Sequence, residues 1–172
     1  MRNMMTTTTE NNLLIQAART GDLTTLEVLL AKNTDLDFQD EKGYTPLIIA
    51  CYNNQYKAAS LLLEKGAGID IQDNGGNTAL MGACFKGYLA IVELLLNHKA
   101  SIDLQHGNGG TALMFAAMFG RNDVVELLLK HGADKFLLDV RGLSAFDLAA
   151  QQGNEAAIQL MEQESGTYKN LQ

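Results

Sequence analysis

The sequence predicts an all-helical solenoid of five helix-turn-helix units repeating every 33 residues. Three observations predict it. The first is a set of residues that return at this spacing without insertion. Gly43, Gly76, Gly109 and Gly142 form one series, and Thr45, Thr78, Thr111 and Ser144 the next. Leu47, Leu80, Leu113 and Phe146 follow, then Ala50, Ala83, Ala116 and Ala149. The second observation is the pattern within a copy. From Asp73 to Asn97, Leu80, Ala83 and Cys84 share one helix face, and Ile91, Val92, Leu94 and Leu95 make a second apolar face. The third is punctuation between the two helices: Gly21, Asn54, Gly87, Gly120 and Gly153 stand where a left-handed residue ends a helix. Two short amphipathic helices cannot bury both faces against each other, so each unit needs its neighbours.

Taken in order, MRNMMTTTT (residues 1–9) is polar and Thr-rich, lacks the apolar core of a secretory signal, and is expected to be a disordered tail. The first unit, 10–39, opens on the polar run Glu10, Asn11, Asn12, as a terminal unit should. Leu26, Val28 and Leu29 carry its second apolar face. The second-helix series is read as Val28, Leu61, Leu94, Leu127 and Leu160. The second unit, 40–72, places Pro46 at a first helical position, where a missing N–H costs nothing. Its Ala58 and Ala59 offer less volume than Ile91, Val92, Val124 and Val125 in the next units. The third unit spans 73–105. The fourth, 106–138, opens HGNGG, with His106 where Asp40, Asp73 and Asp139 sit; its three glycines predict the most mobile connecting loop. The fifth, 139–163, is more polar, and 164–172 is expected to be a frayed tail.

GYTPLIIA, Gly43 to Ala50, resembles the G-x-T-P-L-H-x-A signature of ankyrin repeats, and HGAD, His131 to Asp134, resembles the loop leaving their second helix. The resemblance covers about residues 10–163, so the fold class is read as an all-α ankyrin-repeat solenoid. There are departures. Ala79, Ala112 and Ala145 replace the proline; Ile48, Met81, Met114 and Asp147 replace the histidine; Lys99 stands where Gly66 and Gly132 stand.

With 13 basic against 20 acidic residues the net charge is −7, and no Lys/Arg cluster offsets it. Nucleic acid and anionic membrane are therefore excluded as partners, and a basic protein is favoured. Cys51 and Cys84 lie one period apart, farther than a disulfide reaches if their helices pack about 8–10 Å apart. They are expected to be buried free thiols, in keeping with a cytoplasmic location. His98 and His131 are equivalent and close second helices, where they complement the helix dipole. No spacing of metal ligands, catalytic dyad or phosphate loop emerges, so neither cofactor, metal nor enzymatic activity is expected. The rival class is an enzyme or small-ligand binder using a pocket on the repeat surface.

The resemblance implies a protein–protein interaction module that binds through loop tips and the exposed ends of first helices. Those positions are Glu41, Lys42, Tyr44, Tyr52 and Asn53; Asn74, Asn77, Phe85 and Lys86; Asn108, Gly110, Met118 and Phe119; and Val140, Arg141, Leu143, Gln151 and Gln152. Tyr52, Phe85 and Met118 are expected to form an apolar row, widened by Phe119 and Tyr44 and flanked by Arg19 and Gln151. Small chains made only of such repeats are similar to bacterial ankyrin proteins, some of them toxin inhibitors or immunity proteins. The implied role is inhibition or stabilisation of a partner by a chain that is monomeric when free.

Overall fold

A computed structural model describes residues 4–32 and 34–163, with side chains from Thr9 onward. Among the described residues there are ten helices and no strand. They pair in chain order: α1 (Met4–Thr20) with α2 (Leu23–Leu30), α3 (Pro46–Tyr52) with α4 (Tyr56–Glu64), α5 (Ala79–Lys86) with α6 (Leu89–Asn97), α7 (Ala112–Met118) with α8 (Asn122–Lys130), and α9 (Ala145–Gln151) with α10 (Glu155–Gln163). First helices pack on first helices and second on second, so the units form a two-layered stack. No described helix is long and apolar enough to cross a membrane.

The helix starts follow from the caps. The hydroxyls of Thr45, Thr78, Thr111 and Ser144 accept from the N–H groups of Ile48, Met81, Met114 and Asp147 at 3.2–3.3 Å. Ser144 and Asp147 complete a reciprocal capping box. One boundary departs from expectation. α1 takes in residues 4–9, assigned above to a tail, because no glycine or proline interrupts the run from Met4 to Thr20. Residues 1–3 and the C-terminal tail, 164–172, lie outside the described residues.

The core sits where periodic positions face a neighbour. Leu14, Leu47, Leu80 and Leu113 are at most 2% exposed, and Ala17, Ala50, Ala83, Ala116 and Ala149 are likewise buried. The small alanines let first helices approach closely. In the second helices the core row is Leu29, Leu62, Leu95, Leu128 and Met161. The series one residue earlier keeps the 33-residue spacing but lies at the edge of the core, with Leu94 its one buried member. Val28 is exposed, and Leu61, Leu127 and Leu160 are only half-buried, because a one-residue step turns a helix by about 100°. Ala58 and Ala59 are fully packed despite their size.

Gly43, Gly76, Gly109 and Gly142 have φ of 79°, 84°, 78° and 74°, one conformation in four equivalent loops. Each turns a finger that closes with paired bonds, such as Gly76 N–H to Asp73 O at 2.9 Å and Asp73 N–H to Asn77 O at 2.9 Å. Asn54 (φ 58°) and Lys99 (φ 68°) are the non-glycine residues in left-handed backbone among those described. Asn tolerates this; Lys does so at a cost. Lys99→Gly should therefore raise stability by about 1 kcal/mol, read as a higher denaturant midpoint with unchanged slope.

Candidate functional site

The fingers and the inner ends of the first helices enclose a concave surface, and hydrogen bonds between fingers fix its shape. Backbone bonds cross from each tip to the next: Asn74 N–H to Lys42 O, Gly107 N–H to Gly75 O and Val140 N–H to Asn108 O, at 3.0–3.1 Å. A glutamine ladder reinforces them. Gln39 Nε2 donates to Gly43 O in its own finger at 2.7 Å and to Gln72 O in the next at 2.9 Å. Gln72 and Gln105 repeat the pattern, reaching Gln105 O and Leu138 O. Asp37, Asp70 and Asp103 accept from the N–H groups of Gly68, Ser101 and Asp134 one unit on. With no histidine at the sixth position of the signature, glutamine and aspartate tie the loops together. Both series keep the 33-residue spacing and were readable in the sequence.

Each finger is braced by its first residue. Asp40, Asp73 and Asp139 each accept from the N–H groups two and four residues on. Desolvation acts against ionisation of Asp139, but the N–H groups of Leu143 and Arg141 and the Arg141 guanidinium hold its carboxyl below the usual range. His106 replaces the carboxylate with Nδ1, which accepts from Asn108 N–H at 3.2 Å. Its ring lies over Gly110, where an added Cβ would stand 2.5 Å from Nε2. The HGNGG loop, expected to be the most mobile, thus keeps the turn bonds of the other fingers.

Two hollows open on the concave face. The larger, about 1070 Å³, has Ile48, Ile49, Met81, Gly82, Tyr52, Phe85 and Phe115 as its apolar part, and Arg19, Asp40, Glu41, Lys42, Asp73 and Asn77 among its polar residues. The smaller, about 510 Å³, lies among His106, Asn108, Met114, Met118, Val140, Arg141 and Leu148. Phe115 borders both. Gly82 helps to open the larger hollow. It lies within α5, where glycine costs about 1 kcal/mol relative to alanine. Its neighbours one period away are Ile49 and Phe115, so its missing side chain leaves room between them.

Across the helix ends runs an aromatic row. Tyr52 stacks on Phe85 at 6.4 Å between centroids, and Phe85 meets Phe119 edge-on at 4.6 Å. Lys86 Nζ stands 4.8 Å from the centre of the Tyr52 ring. Tyr52 and Phe119 are 44% and 41% exposed; Phe85 and Met118 are half-buried. The row therefore continues to Phe119, the C-cap of α7, and Met118 turns to the smaller hollow.

The structure brings Glu41, Lys42, Tyr44, Tyr52, Asn53, Asn77 and Phe85 together around the larger hollow. Asn108, Gly110, Met118, Val140 and Arg141 gather at the smaller. Several of these side chains are already engaged. Asn53 donates to Ile49 O, Asn77 to the Asp73 carboxylate, Asn74 to Glu41 O, and Arg141 holds Asp139. Gly110 is buried and Leu143 packs against the core. Gln151 and Gln152 are exposed at the end of α9 and border neither hollow. Missing from the sequence reading were Ile48, Ile49, Gly82 and Phe115; a glycine inside a helical pattern was the available signal.

Neither cysteine borders a hollow. Both are free and fully buried, and burial pushes their thiols far above the usual range. Both should stay unreactive to a chromogenic thiol reagent in the native protein and react promptly once it is denatured. His98 and His131 each place Nδ1 on a carbonyl of the preceding helix, Leu94 O at 3.0 Å and Leu127 O at 2.9 Å, as terminal caps do.

Comparison with known proteins agrees with this architecture. A family model described as ankyrin repeats (3 copies) matches residues 14–106, and a second, ankyrin repeats (many copies), matches 95–149. No curated protein matches the chain. Ankyrin repeats are generally protein–protein interaction modules and are typically non-enzymatic. Together with the stacked helix pairs and fingers, these matches establish that the chain belongs to the ankyrin-repeat family.

Proposed function

We propose that this protein binds a partner protein in its concave face and acts on it by occlusion, as an inhibitor, immunity protein or stabiliser, without catalysis of its own. The observation that carries the reading is the aromatic row beside the hollow at Gly82. Aromatic side chains in a polar surround are what a binding centre needs. An apolar side chain of the partner enters between Tyr52 and Phe115, over Gly82, while Glu41, Lys42 and Asn108 meet its surroundings. The scaffold is already tied by the glutamine ladder, so little ordering cost attends binding. A net charge of −7 favours a basic partner, and two free thiols suit the cytoplasm.

Gly82→Leu tests the proposal. Leucine fills the hollow and favours the helix, and the added Cβ would make only ordinary contact, 3.4 Å from Tyr52 Cδ2. Native-host extract passed over wild-type and Gly82→Leu protein, quantified by mass spectrometry, should show a partner retained by the first and lost from the second. Equal retention by both would sink the groove as the binding site.

A further inference from the structure

We propose that His106 makes the finger 106–110 a proton-sensitive part of the concave face: the neutral imidazole braces the turn, and the imidazolium releases it. The four fingers close with the same backbone bonds, which in this one are His106 N–H to Gly110 O at 3.0 Å and Gly109 N–H to His106 O at 2.7 Å. Their side-chain braces differ. Asp40, Asp73 and Asp139 each accept two N–H groups at 2.8–3.0 Å, from the residues two and four on. His106 accepts one, Asn108 N–H at 3.2 Å on Nδ1. Among the described residues no side-chain acceptor reaches Gly110 N–H; the imidazole lies over that glycine instead. A backbone N–H can only donate, so Nδ1 must carry its lone pair. The braced ring is therefore neutral, with its proton on Nε2.

Protonation turns that acceptor into a donor. Nδ1–H then faces Asn108 N–H, and the brace is lost. A carboxylate keeps its lone pairs throughout the range in which an imidazole takes up its proton, so the other fingers stay braced. This finger is also the least able to hold its shape alone, because Gly107, Gly109 and Gly110 leave its backbone the most alternatives. The charged ring has an acceptor to turn to. Asp139, on the next finger, lines the same hollow and is paired there with Arg141. The finger before brings Asp73, whose carboxylate is engaged within its own turn. α7 and α9 present Met114, Phe115, Met118 and Leu148 to the hollow, none of them charged, and Asp147 of α9 is held by Ser144. What the turn holds in place is the binding surface. Asn108 O accepts Val140 N–H at 3.0 Å, which ties the next finger on. The imidazole lies against Phe115, ring centroids 5.2 Å apart, and Phe115 borders both hollows. Release of the turn therefore loosens the fingers 106–110 and 139–143 together and uncovers Phe115.

The response of the turn is read without a partner; its effect on binding rests on the concave face being the binding site. Nitrogen-15 spectra of the full chain should show the His106 proton on Nε2 at about pH 7.5. Amide exchange, referred to the intrinsic rate at each pH, should show Asn108 and Val140 losing about fivefold in protection on passing to about pH 5.5. Lys42 and Gly75, braced by Asp40 and Asp73, should keep theirs. His106→Asp restores the residue of the other fingers, and His106→Asn supplies an acceptor that does not titrate; both should hold their protection across the interval. Binding of the captured partner should weaken about fivefold over the same interval in the wild type and stay constant in His106→Asp. A ring with its proton on Nδ1, protection at Asn108 that ignores pH, or a loss that persists in His106→Asp overturns the proposal. Partner binding that ignores pH while the exchange responds overturns its effect on the binding face. Partner retention by Gly82→Leu would overturn the groove reading instead, and leaves the spectra and the exchange of the partner-free protein untouched.

Discussion

Replacing Gly76 by alanine should cost the protein about 3 kcal/mol, and the same replacement at Gly142 about 1 kcal/mol. The two glycines share a left-handed backbone, φ 84° and 74°, so both substitutions carry the same conformational penalty. They differ in what the new methyl meets. At Gly76 a Cβ would stand 2.7 Å from Gly107 N, in the backbone of the next finger. At Gly142 nothing lies within 4 Å. Backbone held by the ladder cannot move aside cheaply, so the difference of about 2 kcal/mol measures how tightly the fingers are stacked. Urea unfolding followed by circular dichroism reads both. Equal losses would mean that the fingers are not in contact in solution.

Tyr52→Ala and Phe85→Ala should each weaken partner binding by about 2 kcal/mol or more, roughly 30-fold in Kd. Tyr52 is 44% exposed, so its removal should leave stability nearly unchanged. Phe85 is half-buried and touches both Tyr52 and Phe119, so a modest stability loss accompanies its larger role in shaping the row. The pair is in contact, and the double variant should lose less than the sum of the two. Calorimetric titration of the captured partner gives these values. A Tyr52→Ala protein that binds like the wild type would remove the row from the interface.

Most of the fold was legible because the 33-residue spacing acts on several residue types at once. The capping hydroxyls, the left-handed glycines and the small first-helix residues all recur, and each has its own physical reason. The second-helix core was legible as a broad apolar face but not in phase, because consecutive leucines, as in Leu127, Leu128 and Leu129, hide which of them points inward. The binding face was legible only in part. Tyr52 and Phe85 could be placed by their spacing, but the turn of the row to Phe119 depends on ring geometry at a helix end. The hollow depends on what is missing at Gly82, and an absent side chain announces nothing by its chemistry. The engaged amides of Asn53, Asn74 and Asn77 could not be told from free ones without the hydrogen bonds around them.

Amide hydrogen exchange on the complex with the captured partner tests the concave-face account most directly. Binding should slow exchange in the fingers 40–44 and 73–77 and at the ends of α3 and α5, and leave the outer helices α4 and α6 as they were. Protection confined to α4 and α6, with the fingers exchanging as in the free protein, would contradict it.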